Sequence, residues 1–80
     1  MIYIMIRHEI SRYLIAPLSC DYMFHKIESM DDNEVRIDFL MVYYISPQFL
    51  DEYIKDRLKS KKHIIELNVP YAYKSKLSFN

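Results

Sequence analysis

Few side chains in this 80-residue sequence have the types needed for chemistry: one cysteine, Cys20, and three histidines, His8, His25 and His63. A zinc site would have to gather these four, and the one short spacing among them, Cys20-x4-His25, is not a recurring zinc pair. A thiol nucleophile would need Cys20 beside an imidazole base. No local signature surrounds it, and a lone cysteine more often packs as a small hydrophobe. Acid–base work could use the paired carboxylates Asp31/Asp32 and Asp51/Glu52, but the first pair falls where a turn is required and the second where a helix begins. Glycine is absent from the chain. A backbone that cradles phosphate needs glycine where a Cβ would block close approach, so neither nucleotide-binding loop can be drawn. Neither an enzyme, a metal nor a cofactor is expected.

Charge is better organised than the net value of zero implies. Residues 28–38 hold five acids against Arg36, whereas residues 55–76 hold seven bases against Asp56 and Glu66. Within the basic stretch, Lys59, Lys61, Lys62 and Lys74 lie close in sequence to Tyr71 and Tyr73. Tyrosine offers a large contact area with a polar tip, so these six residues are the predicted partner-binding surface. The same mixture of cations and aromatic rings fits nucleic acid, by phosphate neutralisation and stacking. Tyr43 and Tyr44 are a second candidate contact pair, although core packing is the stronger expectation for them.

The elements that must position these residues are clearest around the second proline. Ser46 is placed to cap a helix, Pro47 suits its first turn, and Ile45 and Leu50 have the spacing of a hydrophobic staple. Leu50, Tyr53, Ile54 and Leu58 form an apolar stripe at helical period, which predicts a helix over 47–60. Before it, Val35, Ile37, Phe39, Met41, Tyr43 and Ile45 alternate onto one face and predict a strand over 34–45. After it, His63, Ile65, Leu67 and Val69 predict a strand over 62–69, stopped by Pro70. Strand, helix and strand make a right-handed βαβ unit.

The N-terminal third reads less sharply. Residues 2–8 suit a strand, although Ile6, Ile10, Tyr13 and Leu14 also fit a helix running up to Pro17. Ser19 or Asp21 can then cap a helix through Met30, with Met23, Phe24 and Ile27 inward. Asp31, Asp32 and Asn33 supply a turn, and Tyr71, Tyr73, Leu77 and Phe79 alternate like a last edge strand. No internal repeat is apparent.

These elements predict one α+β domain over residues 1–80, a three- to four-stranded mixed sheet packed with two helices. An 80-residue chain buries only about 60–65% of its unfolded surface, and a single cysteine offers no intrachain bridge, so the core is marginal; together with an edge strand at 71–79, this points to a homodimer. The run MIYIMI is too short to span a bilayer and lacks the flanks of a signal peptide, which predicts a cytoplasmic protein without membrane contact. Residues with AT-rich codons number 38 against nine with GC-rich codons, pointing to a phage, a mobile element or a low-GC bacterium. The predicted function is a small inhibitor or adaptor that binds a host protein or complex, with nucleic-acid binding through 55–76 as the alternative.

Overall fold

The computed structural model describes residues 1–79. Three strands, β1 (Ile2–Met5), β3 (Glu34–Asp38) and β5 (His63–Leu67), form a sheet in the order β1-β3-β5, and both pairings are parallel. Between β1 and β3 come a helical turn, α1 (Ile6–Glu9), a two-residue strand, β2 (Tyr13–Leu14), and helix α2 (Pro17–Glu28). Between β3 and β5 come β4 (Tyr44–Ile45) and helix α3 (Pro47–Lys59). The strands β2 and β4 pair in parallel as a second small sheet. Two crossovers that advance in the same direction place both helices on one face of the main sheet, where they pack against each other.

The core lies between that face and the helices. Ile4, Val35, Ile37 and Ile64 from the strands meet Cys20, Met23, Phe24 and Ile27 of α2 and Phe49, Leu50 and Tyr53 of α3, all buried. Tyr53 sits at the centre, edge-on to Phe24 at 5.3 Å and to Phe39 at 5.6 Å. Its hydroxyl donates to Glu66 at 2.7 Å, and Glu66 also accepts from Arg57 Nε at 3.0 Å. A carboxylate on the helix-covered side of an edge strand is thus fully satisfied, as a buried charge must be.

The helix expected at 47–60 ends at Lys59, and Ser46 caps it by accepting the Phe49 N–H at 3.0 Å. Both staple residues, Ile45 and Leu50, are buried. Leu58, expected on the inward stripe, is 72% exposed because the stripe drifts out of the interface in the last turn. The βαβ unit is present as β3, α3 and β5.

Several expectations need correction. The predicted strand 34–45 is two strands in two different sheets, and nothing in either sheet is mixed. The chain leaves the main sheet at Asp38 and turns through residues 39–42, closed by the Val42 N–H donating to the Phe39 carbonyl at 3.0 Å. The buried residues here are Phe39, Val42 and Ile45, three apart, while Met41 and Tyr43 are exposed. Asp38, expected on a solvated face, is buried. The strand predicted at 62–69 spans only His63–Leu67, and the one at 2–8 stops at Met5. Pro17 opens α2 at the first-turn position where its missing N–H costs nothing, so neither Ser19 nor Asp21 caps the helix. The segment 71–79 is no edge strand. Tyr71–Tyr73 is a 3-10 turn, and Leu77 folds back into the core.

A repeat hidden in the sequence also emerges. Strand, short strand and proline-started helix occur twice in succession, and the register sets Tyr13 beside Tyr44 and Leu14 beside Ile45. The inward residues match in each pair, and Pro17 and Pro47 follow at nearly equal distances. A third unit begins with β5 and is replaced by the C-terminal turn. Each unit's short strand finds its strand partner in its neighbour's, which is how stacked repeats share a core.

Candidate interaction surface

Parallel α/β sheets present functional groups at the carboxyl ends of their strands. At that end the turn after β3 carries Leu40, Met41, Tyr43 and Tyr44, and the opposing segment carries Tyr13 and Ile15. These six large apolar side chains are between 42% and 58% exposed. The backbone beneath them is tied down. The Tyr43 N–H donates to the Arg12 carbonyl at 2.8 Å, and Arg7 donates to the Leu40 carbonyl at 3.2 Å. Tyr13 and Tyr43 stack edge-on at 5.9 Å, and the Arg12 guanidinium lies 5.8 Å from the Tyr43 ring centre.

Met41 has φ 61°, in the left-handed region. For a residue with a long side chain this conformation costs about 1 kcal/mol or more relative to glycine, and such residues concentrate at functional positions. The turn therefore displays an exposed methionine at a position where glycine would be easier.

Asp38 anchors the turn from below. Its carboxylate accepts from the Tyr3 hydroxyl, from the Leu40 N–H at 2.9 Å and from Asn68 Nδ2 at 3.0 Å. Burial opposes its charge, but the bonds from Tyr3, Asn68 and Leu40, together with nearby Arg7, outweigh it and hold the carboxyl below the usual range. The hydrogen bond to Asp38 correspondingly raises the Tyr3 phenol, assisted by burial. With Asp38 enclosed, segments 10–20 and 39–50 contain no acid, and Arg7 and Arg12 supply the charge at this end.

The six residues predicted from sequence divide between two places. Tyr71 is 90% exposed on the turn after β5. Tyr73 is half-buried, and its phenol oxygen accepts the Ile45 N–H at 3.0 Å, a structural role. Lys74 is exposed beside a groove formed by Ile65, Val69, Leu77 and Phe79. Lys59, Lys61 and Lys62 lie where β5 begins, and Tyr71 and Tyr73 where it has ended, about 15 Å away along a five-residue strand. Lys59 and Lys61 are exposed, but the Lys62 ammonium donates to the carbonyls of Met30 and, at 2.9 Å, Asp32. Tyr43 and Tyr44, candidate contact residues for which the core was the stronger expectation, are exposed because the chain leaves the main sheet before reaching them. The usable signal was the three-residue spacing of Phe39, Val42 and Ile45.

The histidines and Cys20 are not gathered into one site. Among the described residues, the one cluster of metal-ligand type is Asp21, Glu52 and Asp56, in the cleft between α2 and α3, with one oxygen from each within 4.8 Å of the others. Asp21 Oδ1 and Asp56 Oδ2 are buried without partners. The neighbouring Asp56 carboxylate raises the Asp21 carboxyl above the ordinary range and favours its protonated form. Burial, followed by the neighbouring Asp56, pushes the Cys20 thiol far up, and the side chain is fully enclosed. Such a thiol is a packing residue rather than a nucleophile. Among the described residues, no helix is long and apolar enough to cross a membrane.

No protein-family model matches the chain, and neither the curated proteins nor the solved structures yield a match.

Proposed function

We propose that this chain is a small non-enzymatic binding protein, an inhibitor or adaptor whose contact surface is the carboxyl end of its sheet. The observation that carries this reading is Met41, held exposed in a left-handed turn between exposed Leu40 and Tyr43. Tyr44, Tyr13 and Ile15 extend the surface, and Tyr71 stands on the turn that reaches β4 through Tyr73. Grouped apolar exposure on a rigid backbone is the usual signature of a protein contact. Arg7 and Arg12 beside it, with Glu9 between them paired to Lys26, favour a protein partner that offers apolar side chains rimmed by acids.

Tagged wild-type chain and a Leu40→Asp/Met41→Asp variant, with matched unfolding midpoints, are used for capture from bacterial lysate with and without nuclease. A stoichiometric protein retained by the wild type after nuclease and lost by the variant supports the proposal. Recovery that vanishes with nuclease, and binding that falls steeply with salt, would assign the surface to nucleic acid instead.

A further inference from the structure

The two edges of the main sheet are treated differently. Along β5, the C-terminal segment returns so that Leu77 and Phe79 line a groove with Ile65 and Val69, and Arg57 closes over the Phe79 ring at 4.1 Å. Edge β1 has no such cover. It reads Ile2-Tyr3-Ile4-Met5, with no charge, proline or bulge, although proteins normally blunt an open edge with one of these. Its outward backbone N–H and C=O groups, otherwise left to water, form a ready template for another strand, which favours a strand over a helix or a small ligand as the occupant.

From this edge we infer that the chain forms a two-fold symmetric dimer by antiparallel pairing of β1 with β1 of a second copy, giving a six-stranded sheet. A two-fold axis perpendicular to the sheet keeps all four long helices on one side. With Ile4 opposite its own copy, Tyr3 faces the partner's Met5 on the open side, so apolar residues meet across the seam. Charge selects the antiparallel direction. The turn at 31–33 lies at the start of β1, where the Met1 ammonium pairs with Asp32. Asp31 in the same turn is exposed and, among the described residues, makes no ion pair. Arg7 and His8 follow the end of β1 directly. Antiparallel pairing sets Asp31 of each copy near the partner's Arg7 and His8, twice by symmetry, whereas parallel pairing would set like ends together.

The test is sedimentation equilibrium of the full chain at low salt, with hydrogen exchange on the same samples. A concentration-dependent monomer–dimer equilibrium is expected, with slowed exchange of the amides in 2–5 as the dimer fills. Asp31→Lys reverses two symmetry-related contacts at exposed positions, which should weaken the dimer about tenfold. Adding His8→Glu to that variant should restore most of the loss, because the new lysine then meets a carboxylate. A chain that stays monomeric up to about 500 μM, where even a weak interface would register, overturns the inference. A dimer indifferent to the charge exchange, or one that protects residues 40–45 instead of 2–5, overturns it equally.

Discussion

The phenol oxygen of Tyr73 accepts the backbone N–H of Ile45 at 3.0 Å, joining the C-terminal turn to a strand only two residues long. Strand β4 pairs with β2 on one side, and this bond satisfies a backbone donor that no further strand reaches. Replacing Tyr73 by phenylalanine leaves that N–H unsatisfied and should cost about 1–2 kcal/mol in urea unfolding. Tyr71→Ala removes an exposed ring and should change stability by less than about 0.5 kcal/mol. Equal losses for the two variants would contradict the assignment of Tyr73 to structure and Tyr71 to the surface.

Glycine substitutions at the two left-handed residues should act in opposite directions. Met41→Gly relieves the cost of a positive φ and returns part of the gain as unfolded-state entropy, for a net stabilisation of about 0.5–1 kcal/mol. Asn68, at φ 53°, also donates to Asp38, so Asn68→Gly should lose about 1 kcal/mol. The more stable Met41→Gly protein should bind its partner more weakly. Chemical denaturation and the capture assay measure the two halves of this statement.

Arg57 and Glu66 form the most enclosed ion pair among the described residues, with side chains 20% and 8% exposed. Arg57 also donates to the Ile64 carbonyl at 2.7 Å. Truncating Glu66 to alanine strands the guanidinium and the Tyr53 hydroxyl together and should cost about 3 kcal/mol. Replacing both partners with methionine should recover the part of that loss due to the stranded charge, although the buried Tyr53 hydroxyl stays without its acceptor. A double variant as unstable as Glu66→Ala would show that the network, rather than the stranded charge, sets the cost.

Two carboxyl groups should give stability opposite responses to pH. Asp38 is held below its unfolded value, so its contribution is complete above the ordinary carboxyl range and is lost as pH falls through the lower folded value. Asp21 is held above its unfolded value, so its contribution is complete in acid and is lost as pH rises through the higher folded value. Thermal melts across the acid range should show that Asp38→Asn flattens the acid limb. Asp21→Asn should stabilise near neutrality by a few tenths to about 1 kcal/mol, with the gain disappearing in acid. A gain for Asp21→Asn that persists at low pH would rule out a raised Asp21 carboxyl as its source.

Much of the backbone plan can be read from local chemistry. Ser46, Pro47 and the Ile45/Leu50 pair specify the start of α3 because capping, a fixed φ and a staple act within one turn. The βαβ order follows from two apolar runs flanking that helix. The division of 34–45 into two strands was not legible, because apolar residues at both parities fit a strand covered on two faces as well as a strand that turns away. What decides it is Asp38, whose carboxylate takes the Leu40 N–H while Tyr3, 35 residues before it, approaches from β1 and Asn68, 30 after it, from just past β5. The repeat was obscured for a related reason: the partner of Tyr13 and Leu14 lies in the next unit, and only pairing shows that Tyr44 and Ile45 are their counterparts.

The sequence by itself determined the helix α3 with its cap, the parallel unit around it, and the absence of a glycine-built phosphate loop, all consequences of short-range backbone chemistry. Tertiary structure alone decided which tyrosines face solvent. An aromatic ring has the same propensity whether it meets Ile45 from the C-terminal turn, as Tyr73 does, or lies exposed against Tyr13 and Arg12 near a left-handed methionine, as Tyr43 does. Its role is set by what the rest of the chain brings to it.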